Sequence, residues 1–377
     1  MIGLFVKKCK KTTLTSVISC MKHAAVVTLL LLWYPGTGLA AESGRAKTLV
    51  ESPERLAIER TLQLLQGSSR QWLGKTGCAS CHHQALEAMT VATARAKGFT
   101  LDDSLITDQQ ERMARDLANG LQKMLDAIRS IKPIQVGPNP EMIYGYLLLG
   151  FAETDVQPDP STDTAVRYLL SLQEKSGNWR CRVKRRPPLE ASDFAATALM
   201  IRAIVAYAPS DRKEESRKAI SDAVGWLRTS EPSDTEDRAF RLFGLYWAGA
   251  ESTGIAEAGR DILAHQRADG GWSQTTTKES DAYATAESLV ALRKAGVVRW
   301  DTPQFRKGIE YLLRHREADG SWHVTSRALP IQEYFESGFP HGKDQFISYA
   351  ATCWATLALL SDRIPEWKNG ELLWNDQ

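Results

Sequence analysis

Cys78-Ala79-Ser80-Cys81-His82 sets two thiols three residues apart, with an imidazole directly after the second. Two thiols one helical turn apart can form thioethers to the two vinyl groups of a haem. The adjacent His82 is then the proximal iron ligand, and His341, His323 or Met89 is a candidate for the sixth position. The same residues offer a second chemistry. Cys78 and Cys81, with His82 or His83 and completed by His341 or a nearby aspartate, form a mixed set that zinc accepts. A disulfide or thiol pair is a third. Haem c, zinc and a thiol pair all remain open at this stage.

The start of the chain bears on that choice. Lys7, Lys8, Lys10, Lys11 and Lys22 precede an apolar run from Ala24 to Trp33, and Gly38-Leu39-Ala40-Ala41 follows. Basic region, short apolar region and small-residue site form the order of a secretory signal. The run is shorter than the roughly 20 residues a membrane span needs. Residues 1–40 therefore read as a signal peptide and 41–52 as a linker. Export to the periplasm or outside is expected, with membrane association only through an uncleaved signal. Haem attachment and disulfide formation both belong to that compartment. The chain carries 47 Lys+Arg against 45 Asp+Glu, and losing those five lysines moves the net charge from +2 to −3. A nucleic-acid footprint is not indicated.

Stepping along the chain, a period of about 45 residues organises everything after the linker. Asp193, Asp237 and Asp281, each 44 residues from the next, open apolar runs ending near Tyr207, Ala250 and Gly296. Asp344 opens another to Leu360, Glu141 another to Phe151, and the Cys78–His83 segment a sixth to Gly98. Between them lie amphipathic stretches over 53–67, 108–129, 161–173, 211–229, 255–267 and 302–316. Several end alike: Gln66, Gln173 and Gln266 are each followed six residues later by tryptophan (Trp72, Trp179, Trp272), and Arg316 by Trp322. Six amphipathic helices alternating with six apolar ones predict an all-α fold. They close as an α6/α6 toroid over 53–362 with the apolar helices inside, and 363–377 is left as a C-terminal tail.

These Q-x5-W turns, with Gly-Gly-Trp272 and Gly-Ser-Trp322, resemble the QW repeats of squalene–hopene cyclases and related prenyltransferase-type α/α toroids. The resemblance covers about residues 50–362. Together with CASCHHQ near the front and ESGFPHGKDQ near the end, the chain looks like exported squalene-cyclase-like repeat proteins. It implies a central cavity for a hydrophobic, isoprenoid-like small molecule, lined by aromatics such as Phe194, Phe240, Phe243, Tyr246, Tyr283, Phe346, Tyr349 and Trp354. One departure is plain. The cyclases' Asp-x-Asp-Asp acid motif is absent, and the matching helix start reads Ser280-Asp281-Ala282-Tyr283.

In a closed ring the inner helices start at one mouth, so Glu141, Asp193, Asp237, Asp281 and Asp344 share a rim. Cys81 lies nine residues beyond Trp72, as Asp281 lies nine beyond Trp272, which places the cysteine motif in the aspartates' register. Aspartate at a helix start ordinarily caps it. Asp281 is also the one candidate catalytic acid. Ring closure sets the loop His323–Lys343 beside Cys78–His83, and the basic loop Arg180–Pro188 offers a clamp for an anion. The function expected is a haem-bearing toroid with a redox or sensory role or a hydrophobic, isoprenoid-like ligand-binding one. The alternatives are a terpenoid cyclase- or prenyltransferase-like enzyme, or a zinc-dependent or polysaccharide-acting one.

Overall fold

The computed structural model describes residues 53–76, 80–129, 139–329, 333–361, 366–368 and 371–373. Six helical hairpins follow one another: α1 (Pro53–Thr76) and α2 (Leu86–Ala96), α3 (Asp103–Arg129) and α4 (Pro140–Glu153), α5 (Pro160–Ser171) and α6 (Asp193–Tyr207). The second half repeats the plan with α7 (Lys213–Thr229) and α8 (Thr235–Trp247), α9 (Ser252–Ala264) and α10 (Ala282–Lys294), α11 (Pro303–Arg314) and α12 (Gln345–Leu360). The even-numbered helices each pack on the next, and α12 packs on α2, so they form a closed inner ring. The fold is an α/α toroid.

Sequence explains which helix goes inside. In α12 fifteen of sixteen residues are buried and in α6 eleven of fifteen, and a helix apolar on nearly all sides must be enclosed. In α11 burial is confined to one stripe, Phe305, Gly308, Ile309, Tyr311 and Leu312, so its polar face stays in water. Closure is fixed by bonds from the last repeat to the first. The Thr61 hydroxyl donates to Gly320 O at 2.8 Å, and Tyr349 Oη donates to Leu65 O at 3.3 Å. The lumen is crossed by side chains. The Phe243 and Trp354 rings stack 5.8 Å apart, and Lys294 Nζ on α10 reaches Glu153 Oε2 on the opposite helix α4 at 2.9 Å.

Three of the tryptophan turns are built identically. Trp179, Trp272 and Trp322 donate their indole N–H to Leu169 O, Ile262 O and Leu312 O at 2.6–2.8 Å. Gln173 and Gln266 each donate to a carbonyl of their own turn (Gly177, Gly270) and one of the next outer helix (Ala219, Gln304). The glycines before them have φ of 91 to 96°, a left-handed conformation that side chains resist.

The fourth expected turn is different. Trp72 lies inside α1, which continues to Thr76, and Gln66 instead bonds the backbone of Asp102. Nothing glycine-like interrupts the helix between them at a left-handed angle, so no turn forms there. The expected start of α8 at Asp237 also moves, because Asp234 supplies the cap three residues earlier. Two short hairpins complete the fold. β1 (Trp272–Ser273) pairs antiparallel with β2 (Ser280–Asp281), and in the segment read as a tail β3 (Glu366–Lys368) pairs with β4 (Glu371–Leu373).

Candidate functional site

The first inner helix begins with a wide π-turn, Cys81–Ala85, leading into α2. Ser80 caps it, its hydroxyl accepting the His83 N–H at 3.1 Å. The matching caps are Ser192, Asp234 and Asp281, each accepting an N–H three residues on at 3.0 Å. The register therefore shifts by one from the sequence expectation: Ser80 corresponds to Asp281, and Cys81 follows the cap. Cys78 and the side chains of Cys81 and His82 lie outside the described residues.

A polar network fixes this turn to the outer helices. Ser80 N donates to Gln84 Oε1 at 2.8 Å, Gln84 Nε2 to Ser69 Oγ at 2.9 Å, and Gln109 Nε2 to Ser69 Oγ at 2.8 Å and Glu87 Oε2 at 3.0 Å. Glu87 is fully buried, and burial raises its pKa against the bonds from Ser69, Tyr349 and Gln109. His83 is enclosed too. Its ring stacks between Trp72 (4.6 Å) and Tyr349 (3.9 Å), with Phe346 edge-on at 6.0 Å.

His341 stands in a neighbouring group. Its ring stacks on His323 at 4.8 Å, Ser321 Oγ is 2.7 Å from its Nε2, and His323 Nε2 is 2.8 Å from Asp344 Oδ2. Burial and the neighbouring His323 lower the His341 pKa. Between His341 and His83 lie two rings in series, Phe339 and Tyr349. Among the described residues no group of three or more His, Cys, Asp or Glu is arranged to hold a metal ion.

The rim carboxylates divide by role. Asp281 caps α10 and borders a cleft of about 310 Å³ that also touches Gln274, Tyr311, His315 and His323. Burial raises its pKa. Asp193 instead accepts the Cys181 N–H at 3.0 Å, and Asp237 takes the Ser192 and Ser233 hydroxyls at 2.6 Å. Asp344 holds Ser326 N and His323. The basic loop is largely spent on local acids: Arg180 and Lys184 lie within 4.0 Å of Asp193, Arg182 lies 3.4 Å from the buried Glu141, and Arg186 lies 3.1 Å from Glu190.

A buried cluster at this mouth joins Tyr283, read from the sequence as a cavity aromatic, to two carboxyls the sequence reading passed over, Glu236 and Glu287. Tyr283 Oη donates to Glu236 Oε2 at 3.0 Å and lies 3.4 Å from Glu287 Oε1, all three side chains being fully or almost fully buried. Desolvation, then the charge of Asp234, push Glu236 up to about 8. Burial and Glu236 raise Glu287 well above the ordinary range. Two buried carboxyls this close repel as anions, so burial and their mutual charge favour the protonated forms. The sequence signal was Tyr283 and Glu287 one turn apart on a helix with no other acidic residue. The expected cavity aromatics are mostly core: Phe240, Phe243, Tyr283, Tyr349 and Trp354 are buried, whereas Tyr246 is exposed.

No family model matches the sequence, and no curated protein matches it. Solved structures do. One is a variant of the type II terpene cyclase MstE from Scytonema in its apo form, at 12% identity and TM-score 0.51, covering 81% of this chain and 98% of that one. Another is a protein from Actinoplanes, at 16% identity and TM-score 0.48, covering 82% and 99%. A UGL variant with dGlcA-Glc-Rha-Glc is similar at 11% identity and TM-score 0.49, covering 80% and 96%. The MstE likeness carries the fold, an α/α toroid, and nothing of its activity.

Proposed function

We propose that this protein is an exported α/α toroid that carries a covalent c-type haem at the lip of its N-terminal mouth, in a redox or sensory role. The supporting observation is the C-x-x-C-H segment itself. Its described part, Ser80–His82, opens the first inner helix at the seam where the ring closes, with Ser80 as the cap and its N–H fixed through Gln84 to Ser69.

The donor set fits a haem. Cys78 and Cys81 would hold it by thioethers and His82 would ligate the iron. Trp72, Phe335 and Phe346 form an apolar cluster with His83, the residue directly after the motif. When bound, the haem supplies one-electron chemistry. His83, sandwiched between two rings, serves as packing, and His341 would have to release Ser321 to act as a sixth ligand. A hydrophobic small molecule at the mouth, as the resemblance implies, is a secondary part of this reading.

The absorption spectrum tests it. Protein exported from cells with an active haem-attachment system should show a Soret band and keep haem through denaturing electrophoresis. Colourless protein from such cells overturns the reading. One zinc per chain that is lost in Cys81→Ser would install the metal alternative.

A further inference from the structure

Gln274, in the turn of the β1–β2 hairpin, is 4% exposed, and its Oε1 is buried with no hydrogen-bond partner among the described residues. An acceptor in that state is costly unless a donor reaches it. The side chain borders the cleft of about 310 Å³ at the mouth, between the hairpin, the end of α11 and the connection after Trp322. Burial raises the Asp281 pKa there, and bonds from Ala284 N and the Gln274 amide hold against it, so the Gln274 nitrogen is the end already engaged.

What the other walls offer follows from where their hydrogens already go. Tyr311 donates its hydroxyl to Ser280 O at 2.7 Å, and the Ser280 hydroxyl donates to Asp269 Oδ1 at 3.2 Å. His315 Nδ1 lies 2.8 Å from Tyr311 O. A carbonyl only accepts, so that nitrogen carries the ring hydrogen and Nε2 keeps a lone pair. His323 Nε2 lies 2.8 Å from Asp344 Oδ2, which fixes the opposite tautomer, with Nδ1 the bare nitrogen. Each group has spent its hydrogen on the protein and keeps an acceptor. The C-terminal end of α11 adds the negative pole of its dipole. Two neighbouring arginines are engaged, Arg314 on Asp269 O and Arg267 on Lys278 O, and Lys278 is the one lysine or arginine among the described residues lining the cleft. The acceptors do not converge on a single point, since no group of three or more His, Cys, Asp or Glu among the described residues is arranged to hold a metal ion. An extended molecule that donates at several places answers them.

We propose that this cleft binds a small organic cation carrying several N–H donors, an amine or guanidine in its charged form, with Gln274 Oε1, His315 Nε2 and His323 Nδ1 as its acceptors. The site uses nothing of the cysteine motif and does not depend on haem.

Agmatine, with an ammonium at one end and a guanidinium at the other, is a suitable probe. Nitrogen-15 histidine spectra of the native full chain should show His315 bare at Nε2 and His323 bare at Nδ1, and millimolar agmatine should shift both nitrogens. His315→Phe keeps a ring on Tyr311 but removes the acceptor, and should weaken agmatine roughly tenfold, the effect of one hydrogen bond to a charged group. Lys278→Ala removes a like charge from the lip and should tighten agmatine severalfold. Neutral sorbitol and inorganic phosphate should leave both nitrogens where they are. The proposal is overturned if agmatine shifts neither nitrogen, if it binds His315→Phe as tightly as the wild type, or if sorbitol or phosphate shifts them equally. Weaker binding in Lys278→Ala also overturns it, because that is the response of an anion site.

Discussion

Tyr283 on α10 donates its hydroxyl to Glu236 on α8 at 3.0 Å, and Glu287, one turn further along, closes the group. The bond ties two neighbouring inner helices at their first turns. Burial of the same group, against this bond, sets how it responds to pH. Glu236 titrates near 8 in the folded protein against an ordinary carboxylate value of 4.5, so folding takes up a proton between those values. A group raised in this way stabilises the fold fully below its unfolded pKa, and that stability is lost as pH rises through the folded one.

The first prediction follows directly. Urea unfolding between about pH 5 and about pH 8 should lose up to about 1.4 kcal/mol per pH unit from this site. Glu236→Gln keeps the hydrogen-bonding shape and removes the charge, so its stability should fall less steeply and exceed the wild type at the alkaline end. Parallel curves for the two proteins would show that Glu236 is ionised in the fold.

A second prediction concerns the bridge across the lumen. Lys294 Nζ and Arg202 hold Glu153 at 2.9 and 3.3 Å, and although burial raises its pKa, the two cations together hold it below the usual range. Lys294→Met should cost about 2 kcal/mol, between the values for surface and buried pairs. The wild type should lose this contribution as acid protonates Glu153, and the variant should show less of that loss. Chemical denaturation at two pH values measures both.

The tryptophan turns give the third. At Gly270 a Cβ would stand 2.5 Å from Lys307 O with φ at +91°, so both space and conformation oppose a side chain. Gly270→Ala should destabilise by more than about 1 kcal/mol, whereas Gly296→Ala, with φ of +70° but open space, should cost less. Equal losses would mean that conformation alone decides.

How much of this was legible beforehand depends on the range of the interaction. The turns could be read because Gln173, Gly177 and Trp179 lie within one short segment, and the same grammar recurs at Gln266, Gly270 and Trp272. Closure could be read because six apolar helices leave no exposed inner face. The Trp72 repeat misled because the six-residue spacing was present without the left-handed glycine that makes it a turn. Asp237 and Asp193 misled differently. A carboxylate one or three residues past a cap looks like a cap in one dimension, yet Ser192 and Asp234 have the extended backbone that capping requires. The acid cluster was hidden because Glu236 and Tyr283 are 47 residues apart and meet only when α8 lies on α10.

The last prediction returns to the cysteine segment and separates its fixation from its chemistry. Gln84 accepts the Ser80 N–H and donates to Ser69, while Gln109 links Ser69 onward to Glu87. These bonds hold the turn whatever Cys78, Cys81 and His82 carry. Gln84→Leu takes the acceptor from the part-buried Ser80 N–H and one of two amide donors from the buried Ser69 hydroxyl, and should cost about 2 kcal/mol. If the segment carries haem, this variant should keep the covalent haem but broaden its spectrum, because the helix start that bears His82 is no longer fixed. Cys81→Ser should instead remove covalent haem with little change in thermal stability of the remaining ring. Far-ultraviolet melting and haem staining, run on both variants, distinguish the two effects. A loss of stability in Cys81→Ser equal to that in Gln84→Leu would make the cysteine a packing residue.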